Sequence, residues 1–189
     1  MSVVVATGMT AEEFLKLPDD GVDRELIRGE LRERGMTVRN RHHSRCLIRL
    51  GRLLDEWAVR SADWCVLGGE AGFVIQHDPD TTVGIDLAVV PRELLDRQSE
   101  RSSLVHGVPT VAIEILSPSD TQALIRGKTQ LYLEAGVRAV WLVDPDEQTV
   151  RIHRAGKPPE LLNVDQRLCD STDLIGFDVS VREFFDSRP

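Results

Sequence analysis

Apolar residues recur every three or four positions in two segments of the chain, a spacing typical of amphipathic helices that pack one face on a core. In the first segment, which follows His43, these positions are Cys46, Leu47, Leu50, Leu54 and Trp57. In the second segment the apolar residues of the stripe are Leu124, Leu131 and Ala135, and Lys128 occupies the remaining position of the same spacing. Gly136 then supplies the left-handed residue that commonly ends a helix. The pattern therefore predicts two core-facing helices.

Short runs rich in branched apolar residues predict strands between and after these helices. The runs cover residues 64–67, 71–76, 85–90, 110–116, 139–143 and 149–154. Residues 24–33 predict a hairpin that turns at Arg28-Gly29, and residues 77–82 predict a polar loop. One or two short strands and a final helix from about 181 to 185 are expected in the weaker C-terminal pattern. Strands grouped around a few helices indicate an α/β protein with a mixed sheet.

Two helix starts carry capping signals, in which a hydroxyl residue precedes a Glu or Gln by three positions. Thr10 and Glu13 form the first such pair, and Ser119 and Gln122 form the second. We therefore expect one helix to begin just after Thr10. The second pair predicts that the helix containing Lys128 begins just after Ser119.

Composition limits the class of protein. The 189 residues include 31 acidic and 23 basic side chains, which gives a net charge of −8. We expect one domain over residues 1–189. No apolar run approaches the ~20 residues of a membrane helix, and no secretory signal is evident. Three widely spaced cysteines suit a reducing cytoplasm. The acidic balance disfavours a broad nucleic-acid surface but leaves room for a local basic cleft.

Glu114 is the first candidate functional residue, because it interrupts the apolar run 111–116. An ionised carboxylate inside a buried strand requires a cation, hydrogen-bond donors or a proton. Strand alternation places Glu114 on the face of Ala112, opposite that of Ile113 and Ile115. A functional role is favoured, and the alternative is a structural acid satisfied by an internal arginine or by backbone donors.

Asp86 makes a similar case, since it stands at the start of another apolar run, 85–90. Acids at strand starts are also common turn residues, so Asp86 alone would not decide the matter. Two acids that break two neighbouring apolar strands are more telling. Paired carboxylates with open positions hold Mg²⁺ or Mn²⁺ in proteins, with water completing the shell.

Lys128 is the third candidate, because its helical stripe points toward the sheet that carries Glu114. An ammonium there can orient a nucleophile or stabilise charge that develops on a phosphate. The alternative is a lysine whose stem only covers apolar surface.

Several further polar residues keep two interpretations. Glu25 and Glu30 either add a carboxylate to the site or form the polar face of the hairpin. His43 is expected to be packed or to face a cleft, and is a poor partner for His42 in a metal pair. A basic helix face is either a phosphate-binding patch or a solvated surface, and its members are Arg39, Arg41, Arg45, Arg49 and Arg52.

These features together resemble the PD-(D/E)xK nuclease superfamily and, more narrowly, the Uma family of restriction endonucleases. The residues that carry the resemblance are the segments 24–30, 78–80, 85–90, 109–119, 135–137, 140–145 and 175–177, with His43, Lys128, Tyr132, Phe184 and Phe185. The most specific stretch runs from Glu114-Ile-Leu-Ser-Pro-Ser119 to Trp141-Leu-Val-Asp-Pro145. Nearly the whole chain is covered.

The resemblance implies a restriction-endonuclease-like fold, with a mixed central sheet flanked by helices. It implies that Asp86 and Glu114 are the metal carboxylates and that Glu25 is an additional acid. Lys128 would replace the motif lysine, moved from strand to helix, because Leu116 stands two positions after Glu114. One departure is Ile85, which stands where the family has a proline before the aspartate.

The sequence thus favours a Mg²⁺-dependent or Mn²⁺-dependent endonuclease that acts on DNA, with Asp86, Glu114, Lys128 and Glu25 in the site. The alternative is a catalytically silent module with a nuclease fold that binds nucleic acid or a protein. A homodimer is expected, because paired sites suit cleavage of a duplex.

Overall fold

A large mixed sheet organises the chain in the computed structural model, which describes residues 3–18, 20–34, 40–99 and 102–185. The strands are β1 Val3–Ala6, β2 Asp23–Ile27, β3 Glu30–Arg34, β4 Trp64–Gln76, β5 Thr81–Pro91, β6 Val105–His106, β7 Val111–Ile115, β8 Ala139–Asp144, β9 Thr149–His153, β10 Glu160–Asn163, β11 Arg167–Asp170 and β12 Phe177–Ser180. The helices are α1 Ala11–Phe14, α2 Arg41–Ser61, α3 Arg92–Asp96, α4 Gln122–Ala135 and α5 Arg182–Phe185.

The strand order confirms the predicted α/β class. The main path runs β1-β3-β2-β5-β7-β8-β9-β10, with β4 paired to β5 and β6. Strands β7 and β8 pair in parallel, and α4 connects them. Strands β5 and β7 pair antiparallel, so the sheet is mixed. A separate ladder joins β11 to β12.

The two long helices cover opposite faces of this sheet. Helix α2 packs its buried stripe, which includes Leu50 and Trp57, into the core that holds Ile113. Helix α4 contributes Tyr132 to a second core that holds Ala112. The alternation predicted for 111–116 is therefore correct. Among the described residues, no helix combines the length and apolar character needed to cross a membrane.

The early hairpin forms as predicted. Strands β2 and β3 pair antiparallel, with Ile27 opposite Glu30. The two turn residues, Arg28 and Gly29, have φ angles of +52° and +75°. Positive φ at both central positions gives a turn whose twist matches that of the flanking strands. This tight connection fixes Glu25 three residues before the turn.

The strands after α2 differ from the prediction. The runs 64–67 and 71–76 belong to one strand, β4, whose register with β5 shifts between Gly68 and Ala71. Gly69 and Glu70 have φ angles of +76° and +62°, so this bulge interrupts the apolar pattern without ending the strand. The predicted loop 77–82 is shorter, because β5 already begins at Thr81. Strands β1 and β6 and the third C-terminal strand were not predicted.

The start and phase of α4 also need correction, whereas the capping box of Thr10 and Glu13 is confirmed. The N-cap of α4 is Thr121, whose hydroxyl accepts a hydrogen bond from the Leu124 N–H, so the capping box at Ser119 is wrong. Ser119 instead hydrogen-bonds the Ser117 hydroxyl. The buried positions of α4 are Thr129 and Tyr132, which leaves Lys128 at the edge of the stripe.

Candidate active site

The four side chains that the sequence singled out line one cavity of about 170 Å³. Glu25 comes from β2, Asp86 from β5, Glu114 from β7 and Lys128 from α4. Three neighbouring strands and the helix that follows the third therefore supply one group each. Their meeting depends on the strand order β2-β5-β7, which no local sequence pattern specifies.

Asp86 is held where β5 and β7 stop pairing. The ladder between these strands ends at the pair of Leu87 and Ile113, and Asp86 immediately precedes Leu87 in β5. Its Oδ2 accepts a hydrogen bond of 2.8 Å from the Ile115 N–H. The Nε2 atom of His43, on α2, lies 3.3 Å from the same oxygen. Asp86 is 4% exposed, so these contacts fix the direction of a buried carboxylate.

Glu114 lies against two donors from α4. The Tyr132 hydroxyl donates to its Oε1 at 2.6 Å, and the Lys128 Nζ lies 3.3 Å from its Oε2. Burial raises the pKa of Glu114 to about 7, against the opposing attraction of Lys128, while the nearby Asp86 carboxylate raises it further. Burial and Glu114 also raise the pKa of the Tyr132 phenol well above its usual value. A further positive charge would therefore stabilise the ionised Glu114.

Lys128 joins two of the carboxylates. Its Nζ lies 3.2 Å from Glu25 Oε1 as well as 3.3 Å from Glu114 Oε2. Glu25 is 6% exposed, whereas Glu30 forms an ion pair with Arg32. The structure therefore brings Glu25 to the cavity and leaves Glu30 out of its lining.

Sequence reasoning did not assign two of these contacts. Tyr132 entered only through the family resemblance, although its position four residues after Lys128 puts both on one side of a helix. His43 was expected to be packed or to face a cleft, and it is 3% exposed and touches Asp86. An apolar stripe that starts with a histidine is too weak a signal to identify that partner.

The basic helix face does not contribute to the described lining of the cavity. Arg39 lies outside the described residues, and Arg41, Arg45 and Arg52 are exposed on α2. Arg52 pairs with Glu56 of the same helix at 2.5 Å. The residues that line the cavity include two cations, Lys128 and Arg24, and Arg24 forms ion pairs with Asp20 and Glu33.

The donor set fits a magnesium-type ion. Asp86 and Glu114 offer carboxylate oxygens into the same cavity, and hard oxygen ligands are those that Mg²⁺ prefers. Within the described parts of the chain, no group of three or more His, Cys, Asp or Glu side chains is arranged to hold a metal. Mg²⁺ commonly takes one or two carboxylates and completes its shell with water and phosphate oxygens. Two carboxylates are therefore sufficient.

Comparisons with known proteins agree with this arrangement of elements. A crystal structure described as "a putative nuclease belonging to DUF820", from Anabaena variabilis, superposes with a TM-score of 0.76. The two share 23% sequence identity over 94% of this chain and 97% of that one, which establishes the fold. Curated proteins gave no match.

The family comparison covers nearly the whole described chain. The model of the Uma2 family, whose description reads "Putative restriction endonuclease", matches residues 11–182. This range contains all four cavity-lining candidates and the strand order that brings them together. The chain therefore belongs to the Uma2 family.

Proposed function

We propose that this chain is a metal-dependent endonuclease that hydrolyses DNA phosphodiester bonds. The observation that carries the proposal is the convergence of Asp86, Glu114 and Lys128 on one cavity. Family membership and the nuclease fold support the same conclusion. Fold alone does not fix an activity, so the side chains in the cavity are the main support for a nuclease activity.

In this proposal Asp86 and Glu114 bind Mg²⁺ or Mn²⁺. A metal held there supplies neutralisation of the phosphate charge and activation of the attacking water. The Ile115 N–H and His43 keep Asp86 directed into the cavity, and Tyr132 holds Glu114 through its 2.6 Å hydrogen bond. Fixed carboxylates lower the reorganisation needed when charge develops on the phosphate.

Lys128 acts beside the metal in this proposal. Its ammonium lies between Glu25 and Glu114, at 3.2 and 3.3 Å. A cation at this position can orient a water molecule or balance charge on the scissile phosphate. Glu25 in turn holds the ammonium in place, so we assign it a positioning role.

The same geometry favours one alternative, a silent nuclease-fold module. With Lys128 paired to two acids, part of the carboxylate charge is already balanced without a metal. The net charge of −8 also opposes tight DNA binding. This alternative needs no metal at Asp86 and Glu114, and metal binding therefore separates the two functions.

The decisive experiment compares the wild type with Asp86→Asn on supercoiled plasmid and on single-stranded DNA in millimolar Mn²⁺. Asparagine keeps an acceptor for the Ile115 N–H but removes the charge. We expect the wild type to cut and the variant to be at least about 100-fold slower. Mn²⁺ should also raise the melting temperature of the wild type more than that of the variant. Wild-type protein that neither cuts DNA nor responds to Mn²⁺ would contradict the proposal.

The proposal includes a homodimer, in which two sites act on the two strands of a duplex. Light scattering combined with the plasmid assay tests this part. A dimer should convert supercoiled plasmid to linear product with little accumulation of the nicked form. A monomer that only nicks would remove the dimer and leave the endonuclease in place.

A further inference from the structure

A groove adjoins the active-site cavity on the side of the early hairpin. It has a volume of about 340 Å³ and lies between the β2–β3 hairpin and α4. Glu25 and Lys128 line both the groove and the cavity. Arg28, Arg32 and Gly127 line the groove but not the cavity. A chain-like ligand in the groove would therefore reach the active-site carboxylates at one end.

The groove and the cavity differ in the sign of their charge. The described lining of the cavity has five acids, Asp23, Glu25, Glu70, Asp86 and Glu114, against Arg24 and Lys128. The described lining of the groove has three cations, Arg28, Arg32 and Lys128, against Glu25 and Glu134. Because phosphates are repelled by the first set and attracted by the second, the groove is the favoured approach for a polyanion.

Both arginines are held weakly enough to turn toward a ligand. Arg28 pairs with Glu134 at 2.8 Å, and their side chains are 58% and 47% exposed. Arg32 pairs with Glu30 at 3.0 Å, and its Nε has no hydrogen-bond partner among the residues that the structure describes. Exposed ion pairs contribute little to stability, so exchanging them for phosphate contacts is inexpensive.

Gly127 gives a second, independent indication that the groove accommodates a ligand. It lies in the interior of α4, where glycine is unfavourable compared with alanine. A Cβ at this position would meet no heavy atom within 4 Å, so packing inside the chain does not require glycine here. A missing side chain on the wall of a groove permits close approach of a ligand backbone.

We propose that the groove between the β2–β3 hairpin and α4 binds the phosphodiester backbone of the nucleic acid strand next to the cleavage site. Arg28 and Arg32 contact its phosphates, and Gly127 lets the strand lie close to α4. The inference rests on the proposed function and adds the path of the substrate to it.

The test measures binding of a fluorescein-labelled DNA duplex by anisotropy in EDTA, so that cleavage does not interfere. The variant combines Arg28→Asn with Arg32→Gln, since asparagine tolerates the left-handed conformation of residue 28. We expect Kd to rise at least about 10-fold and the slope of log K against log salt to fall by about 2, which is the loss of two phosphate contacts. Gly127→Glu should weaken binding similarly without removing either arginine.

The matched control is Arg167→Gln, which also breaks an exposed pair of arginine and carboxylate, with Asp178 on β12. Its Kd should stay within about 2-fold of the wild type. If the wild type cuts plasmid while the groove variants bind DNA like the control, this inference fails and the proposed function stands. If the wild type neither binds nor cuts DNA, both fail together.

Discussion

Two clusters of charged side chains in this protein, each built around buried acids, differ in how those acids are paired. The first, which we call the arginine lock, consists of Arg138, Arg154, Asp170 and Asp173. Arg154 donates to both aspartates, at 3.2 and 2.7 Å, and Arg138 pairs with Asp173 at 3.1 Å. Asp170 also accepts backbone hydrogen bonds from Thr172 and Asp173. Each of the two buried acids thus faces at least one guanidinium group of the chain itself, and Arg154 also lies 3.9 Å from the exposed Glu160.

The second group, which we call the active-site cluster, consists of Glu25, Asp86, Glu114 and Lys128. Lys128 pairs with two of its carboxylates, Glu25 and Glu114, and His43 contacts the third, Asp86. Burial raises the pKa of Glu114 to about 7. The raised pKa means that burial destabilises the ionised form of Glu114, which a further positive charge would stabilise. We therefore propose that a metal ion completes the active-site cluster, whereas the buried acids of the arginine lock are paired by arginines of the chain itself.

The largest effect should come from breaking the arginine lock. Arg154→Met keeps much of the stem but leaves two buried aspartates short of a partner. We expect the free energy of unfolding to fall by about 3–5 kcal/mol, the usual cost of an uncompensated buried charge. Urea unfolding measures it. Arg167→Met, which breaks an exposed pair with Asp178, is the control and should cost no more than about 1 kcal/mol. Equal losses in both variants would contradict the distinction.

In the active-site cluster, removing an acid should raise the free energy of unfolding at high pH, whereas breaking the arginine lock lowers it. The pKa of Glu114 is raised from 4.5 to about 7, so the folded state binds this proton more tightly than the unfolded state. The stabilisation from the protonated form is complete below the unfolded pKa and is lost as pH rises through about 7.

Glu114→Gln removes this dependence. Between about pH 5 and about pH 8, the free energy of unfolding of the metal-free wild type should fall by up to about 3 kcal/mol more than that of the variant. Parallel urea titrations at the two pH values measure the difference. Glu147→Gln, in an exposed turn, should keep the wild-type profile. If wild type and Glu114→Gln show the same profile, burial does not destabilise the ionised form of Glu114.

Removing the Lys128 ammonium sharpens the comparison. An added metal ion can take the place of this ammonium beside the carboxylates, but it cannot take the place of the Arg154 guanidinium. Lys128→Met leaves Glu25 and Glu114 without their shared partner, so the metal-free variant should be less stable than the wild type. Mg²⁺ should restore much of that stability, whereas it should not rescue Arg154→Met. Melting curves with and without Mg²⁺ measure both.

The same variant separates catalysis from packing. At saturating Mg²⁺, DNA cleavage by Lys128→Met should be about 100-fold slower than by the wild type, the usual loss of one preorganised contact. Lys157→Met, in an exposed loop, should cleave normally. Wild-type cleavage by Lys128→Met would mean that the lysine only fills space.

The sequence revealed the acids of the active-site cluster more readily than their surroundings. Glu114 and Asp86 can be identified from the sequence because each carboxylate interrupts an apolar run. A buried ionised carboxylate is costly wherever the strand lies in the sheet. The approach of Lys128 to Glu114 was predicted although the phase of α4 was wrong, since one turn of helix still reaches the same strand.

Other features depend on tertiary structure that a single chain pattern does not encode. The hold of the Ile115 N–H on Asp86 exists because the β5–β7 ladder ends at Leu87 and Ile113. The start of α4 at Thr121 depends on Ser117, whose N–H and hydroxyl both donate to Asp120. In such contacts several polar groups of similar hydrogen-bonding strength compete for one partner, and the tertiary structure determines which of them binds it.

Tyr132, which the residue pattern alone did not identify, gives the smallest and most specific effect. Its hydroxyl donates to Glu114 at 2.6 Å, and a hydrogen bond to the ionised form lowers the pKa of a carboxyl. Tyr132→Phe should therefore raise the pKa of Glu114, so that metal binding requires a higher pH.

We accordingly expect cleavage by Tyr132→Phe at neutral pH to fall about 10-fold, the value of one hydrogen bond to a charged group, and to recover at higher pH. Thr129→Val is the matched control, because it removes another buried hydroxyl from α4, one that donates to the Ile125 carbonyl. That variant should keep the wild-type pH profile. An unshifted profile in Tyr132→Phe would mean that the phenol only packs in the core with Ala112 and does not influence the charge of Glu114.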